Sequence, residues 1–404
     1  MGGVSMEWKE VRLGEVADVQ TGPFGSQLHK ENYVNKGTPI VTVEHLGNKW
    51  FTSQNLPMVS DEDKLRLAKY CSQEGDVIFS RVGSVDRCSY VSKEYSGWLF
   101  SGRCLRVRPR SGINPEYLYY FLTNEGTKQY IRNIAVGATM PSINTKLLNE
   151  VPITIPSLDD QRRIASILSS LDRKIELNNK INADLEEMAQ AIFKNWFVDF
   201  EPFKDGKFVD SELGMIPEGW KVGTLADIAE ITMGQSPAGN SLNENREGMI
   251  FYQGSSDFGF RFPSIRVFTT EPKRLAVANS VLFSVRAPVG DINVAKEECC
   301  IGRGVASIKS KYGHDSYLFY TMKSLHKLFD SFDGEGTVFG SINKKTLSAI
   351  QILLPSDGIV EQFNNIASSF DDRIRSLSDE NSRLSLLRDT LLPRLMSGEL
   401  EVPE

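Results

Sequence analysis

The sequence predicts an α+β fold in which two repeated modules, residues 1–155 and 206–355, are separated by two long helices, residues 156–205 and 356–404. Three observations predict it: an internal repeat over nearly the whole chain, strand-length apolar segments inside each copy, and a heptad pattern after each copy. We expect the two helices to pack on each other as an antiparallel coiled coil, which gives the chain pseudo-two-fold symmetry. A chain with two similar surfaces suits a target that also has two parts.

The repeat is visible in short phrases that recur in the same order. Leu13-Gly-Glu-Val-Ala-Asp-Val is matched by Leu225-Ala-Asp-Ile-Ala-Glu-Ile, 212 positions later. Towards the end of each copy the shift falls to 199, where Ser142-Ile-Asn is matched by Ser341-Ile-Asn. The change in shift indicates insertions and deletions in the loops of an otherwise common framework.

Each module reads as short strands separated by turns, followed by a short helix and a closing strand. Segments such as Asp76-Val-Ile-Phe-Ser and Ser280-Val-Leu-Phe-Ser are rich in β-branched and aromatic residues at strand length. In the first copy, Asn114 before Pro115 predicts a helix N-terminus. In the second copy we expect Asp315 to cap the equivalent helix.

After each module, apolar residues recur in alternating steps of four and three, the pattern of a coiled-coil seam. The equivalent residues Asn182 and Asn381 are included, and a polar seam residue fixes register at a cost in stability. Runs of about 30 residues would form rods of about 45–50 Å. The alternative is two separate amphipathic helices, each lying on its own module. The predicted helix-pair interface comprises Leu171, Ile175, Asn182, Leu185, Ile192, Phe370, Ile374, Leu377, Asn381, Leu384 and Leu391.

Composition excludes several classes of protein. We find no apolar run long enough for a membrane span and no signal-peptide core, so we expect a cytoplasmic protein without a membrane partner. Five cysteines without CxxC spacing and four scattered histidines predict no metal site. The net charge is −6, but the modules are near neutral, with 18 Lys/Arg against 16 Asp/Glu in residues 1–155 and 16 against 16 in residues 206–355. Acidity is therefore concentrated in the helical segments, and local patches decide contact with phosphate.

No catalytic residues are predicted. Asn114-Pro-Glu-Tyr resembles the Asn-Pro-Pro-Tyr loop of DNA adenine methyltransferases, but the second proline and a preceding glycine-rich cofactor loop are missing. Gly334-Glu-Gly-Thr-Val-Phe-Gly has the wrong spacing for a phosphate-binding loop, and a turn is the better interpretation.

Candidate binding residues occur on matched loops and strand ends of the two copies. Arginine, lysine, hydroxyl and amide groups on loops are typical ligands of DNA phosphates and base edges. Alternatives remain open: the alternating arginines after Cys104 could guard an edge strand, the glycine loops could be ordinary turns, and Arg81 and Arg286 could form salt bridges. The candidate DNA-binding residues are Phe24, Ser26, Gln27, Arg81, Arg103, Arg106, Arg108, Thr139, Ser142, Asn144, Lys146, Gln235, Ser236, Arg286, Arg303, Ser341, Asn343 and Lys344.

Phrases at the joints between segments carry a resemblance to a known family. They are Ile155-Pro-Ser-Leu-Asp-Asp-Gln-Arg-Arg-Ile-Ala, Phe197-Val-Asp-Phe-Glu-Pro-Phe, Gly214-Met-Ile-Pro-Glu-Gly-Trp and Leu392-Pro-Arg-Leu-Met-Ser-Gly-Glu-Leu. With the order of module, helix, module, helix, the whole chain resembles the specificity subunit of type I restriction–modification systems.

The resemblance implies that each module is a target recognition domain that reads one half of a bipartite DNA sequence. It implies that the helices set the spacer and dock two methyltransferase subunits, and that restriction subunits join the assembly. Methylation with S-adenosylmethionine and cleavage driven by ATP and Mg belong to those partners, so this subunit needs no cofactor and is not an enzyme. Because Gly234-Gln-Ser-Pro replaces Gly22-Pro-Phe-Gly in the second copy, the two half-sites are expected to differ.

Two other functions compete with this one. The first is a coiled-coil scaffold that joins two protein-binding modules without contacting DNA. The second is a self-contained methyltransferase, which the missing glycine-rich loop disfavours.

Overall fold

The computed structural model describes residues 8–23, 27–334 and 340–402. The chain forms two compact units, one holding the described residues up to Leu177 and from Glu380 onward, the other Asn178–Asp379. Each unit therefore contains one module and one half of each long helix. The four-segment division proposed from the sequence stays a prediction, because a grouping by spatial contact cuts across the helices.

Among its described residues, the module of the first unit has ten strands and five short α-helices. The helices are α1 (Leu13–Val16), α2 (Asp61–Arg66), α3 (Pro115–Thr123), α4 (Glu125–Ile134) and α5 (Thr145–Asn149). The strands are β1 (Lys9–Arg12), β2 (Ala17–Thr21), β3 (Tyr33–Val34), β4 (Thr38–Val41), β5 (Met58–Val59), β6 (Val77–Ser80), β7 (Cys88–Tyr90), β8 (Leu99–Phe100), β9 (Cys104–Pro109) and β10 (Pro152–Ile155).

The first long helix, α6 (Leu158–Phe197), leads from the first unit into the second. The strands that follow are β11 (Phe208–Val209), β12 (Ile216–Pro217), β13 (Lys221–Thr224), β14 (Ala229–Met233), β15 (Leu242–Asn243), β16 (Met249–Tyr252), β17 (Val267–Thr269), β18 (Leu275–Ala276), β19 (Val281–Ser284), β20 (Ile292–Val294), β21 (Cys299–Ile301), β22 (Val305–Ser310) and β23 (Gln351–Leu354). The helices are α7 (Leu225–Ile228), α8 (Asp315–Ser324), α9 (His326–Gly334), α10 (Lys344–Ser348) and the second long helix α11 (Asp357–Met396).

Equivalent sheets occur in both units, which confirms the repeat. One sheet has the order β2-β9-β6-β7 in the first unit and β14-β22-β19-β20 in the second. A second sheet has the order β3-β5-β4-β8, matched by β15-β17-β16-β21-β18 with one added strand. The first strand of each module pairs with its last, β1 with β10 and β13 with β23. These closing pairs bring the ends of each module together at the start of a long helix.

The short helix after the main sheet packs its aromatic face into the core of each unit. Asn114 caps α3, because its side chain accepts a hydrogen bond from the Tyr117 amide over 2.9 Å. The expected Asp315 cap in the second unit is wrong: α8 begins at Asp315, whose carboxylate pairs with Lys309 over 2.6 Å. Both helices bury a tyrosine, Tyr117 or Tyr317, among the aliphatic residues of the sheet.

The two long helices run antiparallel within each unit. In the first unit, Ile164 and Leu168 of α6 share a core with Leu395 of α11. In the second, Phe193 of α6 packs on Phe363 of α11 with ring centroids 5.4 Å apart. At 40 residues each, the helices are about 60 Å long at 1.5 Å per residue, longer than the rods expected from the heptads.

The buried face of α6 differs from the predicted seam by one position at several turns. Leu171, Leu185 and Ile192 are only half-buried, whereas the next residues, Asp172, Glu186 and Phe193, are buried. The buried face is shifted because α6 also packs against the module of each unit. The remaining predicted residues of the interface lie as follows: Asn182, Ile374 and Leu377 are buried, and Ile175, Phe370, Asn381, Leu384 and Leu391 are half-buried.

Candidate nucleic-acid interface

Three segments predicted separately from the sequence lie side by side in the first unit. They are the end of β6 at Arg81, the turn at Arg103 and the loop that contains Ser142. The Arg81 amide donates to the Arg103 carbonyl over 2.8 Å, and the Ile143 amide donates to the Arg81 carbonyl over 2.9 Å. Main-chain hydrogen bonds therefore assemble the three segments into one surface.

The second unit builds the same surface. The Val285 amide donates to the Gly304 carbonyl over 3.0 Å, and the Ile342 amide donates to the Val285 carbonyl over 3.1 Å. An isolated antiparallel β-bridge between Arg286 and Ser341 joins two of these segments. The two surfaces thus share a backbone arrangement, while their side chains differ.

In the first unit the loop at the centre of this surface is short and held at its base. Val136 and Ser142 exchange main-chain hydrogen bonds of 2.9 and 2.8 Å, and the Gly83 amide donates to the Pro141 carbonyl over 2.8 Å. The tip presents Thr139 and Met140, and Met140 is 65% exposed. A loop tip with a hydroxyl and an apolar side chain can contact base edges in a DNA groove.

The cations on these two surfaces are free to contact an anionic ligand. The side chains of five predicted residues are exposed and form no ion pair with any residue that the structure describes. They are Arg103, Lys146, Arg286, Arg303 and Lys344. Exposed, unpaired cations beside a loop suit contact with the phosphates of a duplex.

The predicted row of arginines on β9 is engaged inside the unit. Arg106 is 7% exposed, and its guanidinium donates to the carbonyls of Lys69 and Cys71 over 3.3 and 3.2 Å. Arg108 donates twice to the buried carboxylate of Asp76, over 2.7 Å each. These contacts argue against Arg106 and Arg108 as phosphate ligands. The edge-strand alternative fails too, because β9 lies between β2 and β6.

Electrostatics in this row follow from the same contacts. Burial lowers the pKa of Arg106, whereas the hydrogen bond to Asp76 raises the pKa of Arg108. On the neighbouring strand, the hydrogen bond from Arg110 lowers the pKa of Asp18. The row therefore holds strands and loops together by charge-assisted hydrogen bonds.

Several predicted polar residues use their side chains to hold the loops. The Gln27 side chain accepts from the Tyr70 hydroxyl over 2.7 Å. Asn144 and Asn343 cap α5 and α10, accepting amide hydrogen bonds over 2.9 and 3.0 Å. The Ser236 hydroxyl donates to Gln253 over 3.0 Å and accepts from the Arg303 amide over 3.3 Å.

The rest of the predicted residues are placed as follows. The Ser142 hydroxyl donates to the Val136 carbonyl over 3.1 Å, and Arg81 donates to the Gly102 carbonyl over 3.2 Å. Gln235 and Ser341 are exposed. Phe24 and Ser26 lie outside the described residues.

Within the described ranges, no group of three or more His, Cys, Asp or Glu side chains is arranged to hold a metal ion. None of the described helices is long and apolar enough to cross a membrane. The Asn114 side chain, which resembles a methyltransferase motif by sequence, is occupied as a helix cap.

Sequence reasoning missed a cluster of buried charges in each unit, centred on Lys49 and on Arg261. Their helix partners Asp172 and Asp371 are 199 positions apart, the same shift as the heptads. The available signal was this pair of matched carboxylates, each one position after a predicted seam residue, Leu171 or Phe370.

Comparison with known proteins gives a consistent result. The family described as type I restriction modification DNA specificity domain matches residues 6–187 and 217–385, one match for each copy. A putative type I restriction enzyme MjaX specificity subunit of Methanocaldococcus jannaschii is 32% identical over 100% of this chain and 96% of its own. The type I restriction enzyme HindI specificity subunit of Haemophilus influenzae is 26% identical over 98% of this chain and 100% of its own.

Among solved structures, the crystal structure of a type I restriction–modification system S subunit from M. genitalium has a similar fold. It aligns with a TM-score of 0.60 at 16% identity, over 100% of this chain and 98% of that one. At this level of identity the likeness concerns the fold.

Proposed function

Because the chain belongs to the type I restriction modification DNA specificity family, we propose that it is the sequence-specific DNA-binding specificity subunit of a type I restriction–modification complex. The observation that carries the proposal is the surface built twice from the same three segments, at Arg81, Arg103 and Ser142 and again at Val285, Gly304 and Ile342. Each recognition module reads one half of a bipartite target.

Phosphates and bases are contacted by different groups of this surface. Arg103 and Lys146 in the first module, and Arg286, Arg303 and Lys344 in the second, are exposed cations that neutralise phosphates. The loop tip of the first module reads base edges. The sequences differ here, with Thr139-Met140 in the first copy and Val338-Phe339 at the aligned positions of the second, so the two half-sites differ and the target is asymmetric.

The long helices set the spacer between half-sites and dock two methyltransferase subunits, and restriction subunits join the complex. S-adenosylmethionine, ATP and Mg are used by those partners, and this subunit is non-catalytic. Supporting this division of labour, the modules are near neutral overall, so partner subunits supply much of the phosphate contact.

The test is a base-resolution map of methylated adenines in the host, with and without this gene. We expect one bipartite asymmetric motif to lose methylation when the gene is deleted. Replacing residues 206–355 with a module from another specificity subunit should change one half of that motif only.

A second measurement addresses the scaffold alternative. In the presence of the methyltransferase subunits, affinity for target duplex should fall steeply as salt rises. A response that is flat to salt and to sequence would favour a scaffold without DNA contact.

A further inference from the structure

In the first unit, one buried cluster joins the module to both long helices. The Lys49 side chain is 5% exposed, and its ammonium donates to Glu116 over 3.0 Å and to the Tyr120 hydroxyl over 2.8 Å. Tyr120 donates to Asp172 of α6, which also lies 3.7 Å from the Lys49 ammonium. Arg388 of α11 donates to Asp172 over 2.7 Å. These five residues are called the first clamp.

The second unit has an equivalent cluster with different charges. Arg261 is 3% exposed and pairs with Glu186 of α6 and with Asp371 of α11. It also donates to the Tyr320 hydroxyl over 2.9 Å. Lys323 pairs with Glu186 from the other side. These five residues are called the second clamp.

The repeat shows which positions of the clamps differ on the helices. Asp172 and Asp371 are equivalent at a shift of 199. At the same shift, Glu186 of α6 corresponds to Ser385 of α11, and Ala189 corresponds to Arg388. The helix side of the clamps therefore differs at two positions only.

The modules differ in a complementary way. Tyr120 and Tyr320 are equivalent at a shift of 200, but Glu116 is replaced by Ser316 and Thr123 by Lys323. Hence the first module brings one cation and one carboxylate, and its helices bring one of each. The second module brings two cations, Arg261 and Lys323, and its helices bring two carboxylates.

Each clamp is thus balanced only in its native combination. If the second module docked on Asp172 and Arg388, three cations would lie beside one carboxylate. If the first module docked on Asp371 and Glu186, three carboxylates would lie beside one cation. Asp389, which also pairs with Arg388, is exposed and screened by water. A buried charge without a partner is strongly unfavourable, so a misplaced module loses stability.

We propose that helix positions 186 and 189, with their repeats 385 and 388, determine which recognition module docks on which half of the helix pair. Glu186 with Ala189 accepts a module that carries two cations, the buried Arg261 and the half-buried Lys323. Ser385 with Arg388 accepts a module whose cation is already paired with an acid. The stability of the chain in urea reports this docking directly. Only the methylation measurement below rests on the proposed function.

The experiment uses full-length chains in which the second module occupies both places, with residues 8–155 replaced by residues 220–354. One chimera keeps the native helices, and the other also carries Ser385→Glu and Arg388→Ala. We expect the first chimera to unfold at clearly lower urea concentration than the parent, and the second to recover most of the loss. Equal urea midpoints for the two chimeras would overturn the proposal.

The same two substitutions in the parent chain provide the decisive control. There, Ser385→Glu with Arg388→Ala should lower the urea midpoint, because the first module loses its match. Under the proposed rule, the two substitutions lower the urea midpoint of the parent and raise that of the chimera. A general effect on helix stability would change both midpoints in the same direction. Arg383→Ala, at an exposed position of α11, should have the same small effect in both backgrounds.

The reciprocal chimera has the first module in both places, with Glu186→Ser and Ala189→Arg as the matching changes. Recovery of its urea midpoint by these changes supports the rule in the other direction, and continued loss contradicts it. With the methyltransferase partner, a recovered chimera should methylate a target with two copies of one half-site. Recovered stability without such methylation would count against the proposed function and leave the docking rule standing.

Discussion

Arg388 of α11 donates a hydrogen bond to Asp172 of α6 over 2.7 Å, joining side chains that are 216 positions apart. Asp172 is buried and also accepts from Tyr120 of the first module. A single carboxylate therefore takes part in helix pairing and in module docking. Changes at this cluster are expected to affect both.

Lys49→Met tests the first clamp. The substitution keeps an apolar side chain of similar length but leaves Glu116 without its cation, so we expect the free energy of unfolding to fall by about 3 kcal/mol. Burial lowers the pKa of Lys49, opposed by Glu116 and Asp172. Urea denaturation at pH 7 measures the effect. The matched control is Lys36→Met at an exposed position, and equal midpoints for the two variants would contradict the prediction.

Glu186→Gln tests the second clamp through its dependence on pH. Burial raises the pKa of Glu186, but the charges of Arg261 and Lys323 outweigh it and hold the pKa below the ordinary value of 4.5. The ionised form then contributes stability that is present above pH 4.5 and is lost as pH falls through the lower pKa of the folded state. We expect wild type to exceed the variant in urea midpoint at pH 7, with the difference shrinking below pH 4.5.

Glu187→Gln is the control for that experiment, since Glu187 is exposed on the next position of the same helix. Its midpoint should follow wild type at both pH values. A Glu186→Gln difference that stays constant from pH 7 to pH 4 would show that the carboxylate charge does not stabilise the fold.

The sequence was informative where local rules decide the structure. The cap at Asn114, the strands around Ile78 and Leu282, and the existence of both long helices follow from residue patterns alone. The buried faces of the helices did not, because a heptad reading treats Asp172 and Glu186 as solvent-facing. Burial of these carboxylates is favourable only because Arg388 pairs with Asp172 and Arg261 pairs with Glu186.

The same limit applies to the candidate interface. Alternation along β9 placed Arg106 and Arg108 on one face, but nothing local shows that this face meets Asp76 and the carbonyls of a neighbouring loop. The matched phrases at Arg103 and Ser142 were predicted as separate loops. Their common surface depends on hydrogen bonds between segments distant in sequence, because Arg81 bonds to Arg103, 22 positions later, and to Ile143, 62 positions later.

Arg103→Ala and Arg106→Ala should separate a DNA contact from a structural one. Arg103 is exposed, so its loss should weaken duplex binding to a similar degree for all sequences and reduce the salt slope by about 0.9 if it contacts one phosphate. Arg106 is buried, so its loss should lower the urea midpoint. Fluorescence anisotropy with the methyltransferase subunits present, together with urea denaturation, measures both. A salt slope unchanged by Arg103→Ala would remove that residue from the interface.

Inserting one heptad in each long helix tests the role of the helices in setting the spacer. The insertions are placed after Leu177 and after Asp379, where the chain passes between its two units, so neither clamp is interrupted. Seven residues keep the apolar seam in phase and add about 10.5 Å, roughly three base pairs at 3.4 Å each. A map of methylated adenines should show both half-sites unchanged and the spacer longer by roughly three base pairs. Insertion into one helix alone puts the seam out of register, and this control should lose methylation. Unchanged spacing in the double insertion, or altered half-site bases, would show that the helices do not measure the distance.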